Sequence, residues 1–224
     1  MTYEEIYHEY RRMKAVSEIR GMLASYCFEH NCAVPMRYHS HWSKREDIRH
    51  EMPWGNTTGH ENLEYNTPWH DKIRHPDDFV GFDQHGELFL HMLTTPVIEV
   101  ADDLQTARAV FLSPGFEGRA GEKMGTWAWS KYAYELLYEE GEWRVWHCRI
   151  FPVFRNDFRD DFGSCAEDDL CQTEDERFAD FNAFFSYGPE VVMPRCEPEP
   201  PVPYSTWEPG WNFGSGEKEE ASNG

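Results

Sequence analysis

The sequence predicts an α+β fold, and three observations predict it. Apolar residues recur at helical spacing within residues 3–32. From residue 87 onward they alternate at the two-residue period of strands. The last two alternating runs meet at a short turn, Glu139-Glu140-Gly141-Glu142, as the arms of a hairpin do. Helix first and antiparallel strands afterwards is the order in which helices come to cover one face of a sheet.

Ile6, Tyr10, Met13, Val16, Ile19, Leu23 and Tyr26 follow one another at steps of three and four and form a single stripe along the opening helix. Ser17 offers a cap and Gly21 a bend, so the stretch reads as one helix or two, and Pro35 ends it. Residues 36 to 79 alternate short helical and loop signals, with a turn expected at Trp54-Gly55-Asn56. ELFLHMLTTPVIEV then alternates up to a turn at Asp102-Asp103, and TARAVFLSPG forms a second run. The hairpin GTWAWSKYAYELLYEEGEWRVWHCRIFPVF supplies two long strands. Residues 1–162 read as one domain. Residues 163–224 hold an acidic, helical segment and then a proline-rich arm carrying Trp207, Trp211 and Phe213, with a disordered end.

Composition excludes several classes. With 21 basic and 41 acidic residues the net charge is −20, which disfavours nucleic acid and anionic membranes as partners. No apolar run approaches the ~20 residues that span a bilayer, and the start, MTYEEIYHEYRRMK, lacks a signal-peptide pattern. The six cysteines form no C-x-x-C and read as reduced thiols of a cytoplasmic protein, with Cys165–Cys171 as an alternative disulfide. His39, His41, His50, His60, His70, His75 and His85 match no metal spacing, so neither metal nor cofactor is expected. Aromatic residues make up 16% of the chain, enough for a bulky core or for a cavity that takes an aromatic ligand.

The strand GEWRVWHCRIFPVF raises a question. Read at a period of two, it puts His147 and Arg149 on one face with Trp143, Val145 and Phe151, although a guanidinium goes inside only when paired. A pocket wall, where polar groups fix a ligand among aromatics, would account for it. An ion pair of Arg149 with Glu135 or Glu99 would serve as well. On the neighbouring strand, Trp127, Trp129, Lys131 and Glu135 share one face and Tyr132, Tyr134 and Tyr138 the other, and the first set is expected inside.

The helix end Tyr26-Cys27-Phe28-Glu29-His30-Asn31, the run HMLTTPVIEVADD from His91, WAWSKYAYE from Trp127 and EWRVWHCR from Glu142 together resemble the SnoaL-like family of the nuclear transport factor 2-like (NTF2-like) superfamily, over about residues 5 to 160. The resemblance implies a cone-shaped, curved antiparallel sheet packed on N-terminal helices, a deep pocket between them, and a homodimer or homotrimer. By position it implies Tyr26, His91 and Arg149 as catalytic residues. The family's helix acid falls here on Asn31, which joins Trp42, Trp127, Trp129, Lys131, Glu135 and His147 as expected substrate contacts. Glu29 and His30 are the nearest substitutes for that acid, and helical spacing is read as turning Glu29 away from Tyr26.

His91 suits general acid–base work because imidazole titrates near neutrality. The function expected is a cofactor-independent lyase: a dehydratase-type elimination, with loss of a small carbon fragment as a neighbouring reaction, on a hydroxylated aromatic or polycyclic small molecule. A non-catalytic small-molecule binding or assembly protein, or an isomerase or cyclase, stands open on the same residues.

Overall fold

The computed structural model describes residues 1–32, 38–52, 55–61, 63, 86–121, 124–160, 187 and 197–209. One unbroken helix, α1 (Tyr3–Cys32), precedes a short 3-10 turn (Tyr38–His41) and seven strands: β1 (Arg49–Met52), β2 (Gly55–Thr58), β3 (Glu87–His91), β4 (Thr94–Val100), β5 (Thr106–Arg119), β6 (Met124–Glu139) and β7 (Glu142–Asp157). Their order across the sheet is β2-β1-β7-β6-β5-β3, with β4 also on β5. Among the described residues no helix is long and apolar enough to cross a membrane.

The sheet is open and mixed where an all-antiparallel one was expected. β1 runs parallel to β7, pairing Arg49 with His147 and Glu51 with Arg149. β1 and β2 form a small antiparallel hairpin whose four-residue strands are too short to announce themselves by alternation, and Gly55 and Asn56 belong to β2 rather than to a turn. The single run expected over residues 87–100 divides into β3 and β4, both paired with β5. Within β4 the register on β5 shifts between Thr94 and Val97, where Thr95 takes φ 49° and Pro96 has no N–H to give to the ladder. The β6–β7 hairpin closes as expected. Glu140 and Gly141 both have positive φ, 51° and 88°, which suits a two-residue turn matched to the twist of the strands.

Residues paired across strands share a face. Ala107, Ala109 and Phe111 of β5, Tyr134 and Leu136 of β6, and Val145, Cys148 and Ile150 of β7 form one core with Ile19, Leu23 and Tyr26 of α1. Burial along the helix stripe is uneven. Ile19, Leu23 and Tyr26 are 5% exposed or less, whereas Ile6, Tyr10 and Met13 are more than half exposed. The first half of α1 is held instead by polar contacts, His8 Nε2 to the Asp102 carbonyl at 2.7 Å and Arg12 to Glu99 and Asp102, each at 3.6 Å.

The opposite face of the sheet carries Val110, Ala133 and Phe151 as a second apolar cluster. Residues 197–209 of the C-terminal arm cover part of it. Lys131 donates to the Glu197 carbonyl at 2.9 Å, and the Asp102 and Asp103 amides donate to Tyr204 and Ser205. Trp207 packs on Trp146 at 5.0 Å and donates its indole N–H to Glu135 at 2.8 Å. The acidic segment, the Cys165–Cys171 alternative, Trp211 and Phe213 lie outside the described residues.

Candidate active site

The last two turns of α1 set Tyr26, Cys27, Glu29, His30 and Asn31 against the inner face of the sheet. Tyr26 is 5% exposed and meets Tyr134 edge-on at 6.4 Å and His41 at 6.1 Å. His41, on the 3-10 turn, lies 3.1 Å from the Glu29 carboxylate. Glu29 is therefore not turned away from Tyr26, as expected, but joined to it through His41. Residues three apart on a helix are neighbours.

Asn31 grips the end of β3. Its Nδ2 donates to the His91 carbonyl at 3.0 Å, and its Oδ1 accepts the His91 amide at 3.1 Å. Because an amide N–H can only donate, this pairing fixes which atom of Asn31 is oxygen. His30 Nδ1, 2.9 Å from that oxygen, is then the protonated nitrogen of its ring. The Cys27 thiol donates to the same His91 carbonyl at 3.0 Å.

The His91 ring lies edge-on to His30 at 5.6 Å, with Nε2 3.4 Å from Glu117 of β5. Glu117 in turn accepts from Arg155 of β7 at 2.7 and 3.1 Å. Beneath the ring, Gly115 leaves room that no other residue would: a Cβ there would come 2.9 Å from His91 Nδ1. Burial, and then the neighbouring His30, hold His91 down to about 4. Burial lowers His30 as well, and His50 of β1, buried beside Trp42, is lowered to about 3. At neutral pH these imidazoles are uncharged, which is the form that accepts a proton. Among the described residues no three His, Cys, Asp or Glu side chains are grouped so as to hold a metal ion.

The structure brings Asn31 and His91 together, sets Tyr26 in the core against Tyr134 and His41, and places Trp42 in the core, 1% exposed. It does not bring Arg149 to them. Arg149 pairs with Ala133, and its guanidinium lies over Phe151 at 4.9 Å, on the far face. Trp127, Trp129, Lys131, Glu135 and His147 share that far face, where all five were expected as substrate contacts on the inner one. Trp127 stacks on Phe158 at 5.4 Å, and Trp129 lies 6.2 Å from Phe154. Glu135 binds His147 at 2.6 Å and Trp207 at 2.8 Å. The partner that a buried polar pair requires is thus a carboxylate under the arm.

The cause is a β-bulge. Between Glu135 and Leu136 the register of β6 on β7 shifts by one at Trp146, which turns His147, Arg149 and Phe151 to the far face, and a second shift, between Trp129 and Ser130, restores the first alternation beyond Pro152 and turns Arg155 inward. Unbroken alternation would have carried Arg149 inward. The cation that does reach His91's surroundings is Arg155, and Glu117 accompanies it. Sequence reading missed both, although extending the alternation of β5 past Pro114 places Glu117 on the face of Phe111 and Gly115.

A single long helix laid across an open, curved seven-stranded sheet is the NTF2-like architecture. The SnoaL-like domain matches residues 11–149, and the chain belongs to the SnoaL-like family. Three solved structures share the fold at low identity. A protein from Novosphingobium aromaticivorans provisionally named scytalone dehydratase is 12% identical with a TM-score of 0.50, covering 66% of this chain and 91% of its own. The LinA-type3 hexachlorocyclohexane dehydrochlorinase of Novosphingobium barchaimii is 13% identical at a TM-score of 0.50, covering 68% and 96%. A second N. aromaticivorans protein, provisionally named an aromatic ring hydroxylase, is 11% identical at 0.50, covering 65% and 94%. None of the curated proteins matches.

Proposed function

We propose that the chain is a cofactor-independent lyase that eliminates water from a hydroxylated aromatic or polycyclic small molecule. The observation that carries this reading is an uncharged His91 whose main chain is gripped by Asn31 and whose ring packs on Gly115 with Nε2 3.4 Å from Glu117. Elimination requires one group to take a proton from carbon and another to assist the departing hydroxyl. His91 takes the proton, the C–H pair becomes the new double bond, and the hydroxyl leaves as water with a proton supplied at the Tyr26 end. Aromatic residues make up 16% of the chain, which suits a flat substrate. Relatives of the same fold named as a dehydratase and a dehydrochlorinase support an elimination chemistry. Loss of a small carbon fragment is a variant of the same proton transfer. By family resemblance the working unit is a homodimer or homotrimer, which light scattering measures directly.

The test is incubation of the protein with a pool of hydroxylated aromatic metabolites, with native mass spectrometry for capture and product analysis for loss of water. On the substrate so found, His91→Ala is expected to lose about 10²–10⁴-fold in kcat, the usual worth of a positioned proton-transfer group. Full turnover by both His91→Ala and Tyr26→Phe overturns the reading. A binding protein is the second reading. It is favoured by Asn31, whose side chain is spent on the backbone of β3, and a captured ligand released unchanged would establish it.

A further inference from the structure

We propose that Glu117 and Asn31 are the positioning residues of His91: the carboxylate on β5 sets which ring nitrogen carries the proton, and the carboxamide at the end of α1 sets where the ring stands. The inference rests on the reading of His91 as the proton-transfer group, but its geometry is independent of any substrate.

Asn31 makes both hydrogen bonds that a peptide group can offer, to the N–H and the C=O of the same residue, at 3.1 and 3.0 Å. That is the pairing of one strand with another, supplied by a side chain. It ties the end of β3 to α1, where the edge of the sheet would otherwise be free to shift. An aspartate there would turn an oxygen toward the His91 carbonyl and lose the donor, so the amide is specified by chemistry and not by size. Gly115 closes the arrangement from below, because any side chain would occupy the place of the ring.

Glu117 acts on the ring itself. Its Oε1 lies 3.4 Å from His91 Nε2, while its Oε2 is held by Arg155 at 2.7 Å. A carboxylate facing Nε2 favours the tautomer with the proton on that nitrogen and leaves the lone pair on Nδ1, the nitrogen over Gly115. The groups that bear on His91 are thus Cys27, His30 and Asn31 from α1, Glu117 from β5 and Arg155 from β7. Glu117 is the one carboxylate among them, and it raises the proton affinity that burial, His30 and Arg155 lower.

The experiment is 15N NMR of histidine-labelled full-length protein at pH 7, with His91→Gln to assign the signal. Wild type is expected to show His91 neutral and mainly in the Nε2–H form. Glu117→Gln keeps an acceptor for Arg155 but removes the charge, and the tautomer ratio is expected to fall about three- to tenfold, the worth of one hydrogen-bond-scale interaction. Asn31→Ala is expected to leave the ring uncharged but to broaden its signals, and Asn31→Ser, which retains a donor and an acceptor, covers the case in which the alanine variant does not fold. An unchanged ratio in Glu117→Gln overturns the role of Glu117, and an unchanged linewidth and shift in both Asn31 variants overturns that of Asn31. Neither result bears on elimination, whose failure appears only in turnover by His91→Ala.

Discussion

Gly115→Ala puts the packing of His91 to a quantitative test. Gly115 does not have a positive φ, so alanine adopts its backbone without strain, and removing a glycine from the unfolded chain is worth about 0.4–1 kcal/mol in favour of folding. Against that stands the added methyl. Its carbon would lie 2.9 Å from His91 Nδ1, 3.2 Å from Cε1 and 3.1 Å from the Ala128 carbonyl oxygen, all well inside the 3.5–4.0 Å of comfortable contact. The Ala128 oxygen belongs to the β5–β6 ladder and cannot retreat, so the ring must move. Overpacking of this kind costs about 1–3 kcal/mol. The balance is a net loss of roughly 0.5–2 kcal/mol, read as a lower urea midpoint at unchanged slope. The same displacement turns His91 from Glu117, so its NMR signals should shift while those of distant histidines such as His8 stay put. Equal or greater stability with an unmoved His91 signal would refute the close contact.

Acid should weaken the fold earlier than carboxylates alone would. His50 and His91 stand at about 3 and about 4, below the ordinary 6.5, so between pH 6.5 and those values only the unfolded chain takes up their protons. Stability is therefore complete above about pH 6.5 and falls with pH, each group contributing up to about 1.4 kcal/mol per unit, and urea unfolding that is flat from pH 7 to 5 would contradict this. Trp207→Phe retains a ring against Trp146 but strips Glu135 of a donor. A loss of about 1–3 kcal/mol is expected, with faster hydrogen exchange at the Asp102 and Asp103 amides that the arm holds. Arg149→Ala should leave the His91 resonances in place, whereas Arg155→Ala, which frees Glu117, should move them; the reverse would return Arg149 to the site.

The sequence by itself determined the class of fold and the main pieces of it. Helical spacing in residues 3–32, alternation from residue 87 and a turn with Gly141 in place are local properties, and each survives in α1, β3 to β5 and the β6–β7 hairpin. Tyr26, Asn31 and His91 were singled out by the family resemblance and by no local pattern, and the structure sets the last two side by side. Tertiary structure decided which face of the sheet each strand residue serves. Alternation conveys only that neighbours point to opposite sides, and one inserted residue reverses the assignment for all that follow. The bulge at Trp146 does this to β7 as far as Pro152 and sends Arg149 outward to the face that the arm covers, and a second shift beyond it turns Arg155 inward to Glu117. Glu117 and Arg155 are 38 positions apart in the chain and meet only because β5, β6 and β7 lie side by side, so no local pattern could announce them. The same holds for Trp207, whose indole satisfies Glu135 from 72 positions away and accounts for a buried histidine–carboxylate pair that the strand alone left unexplained.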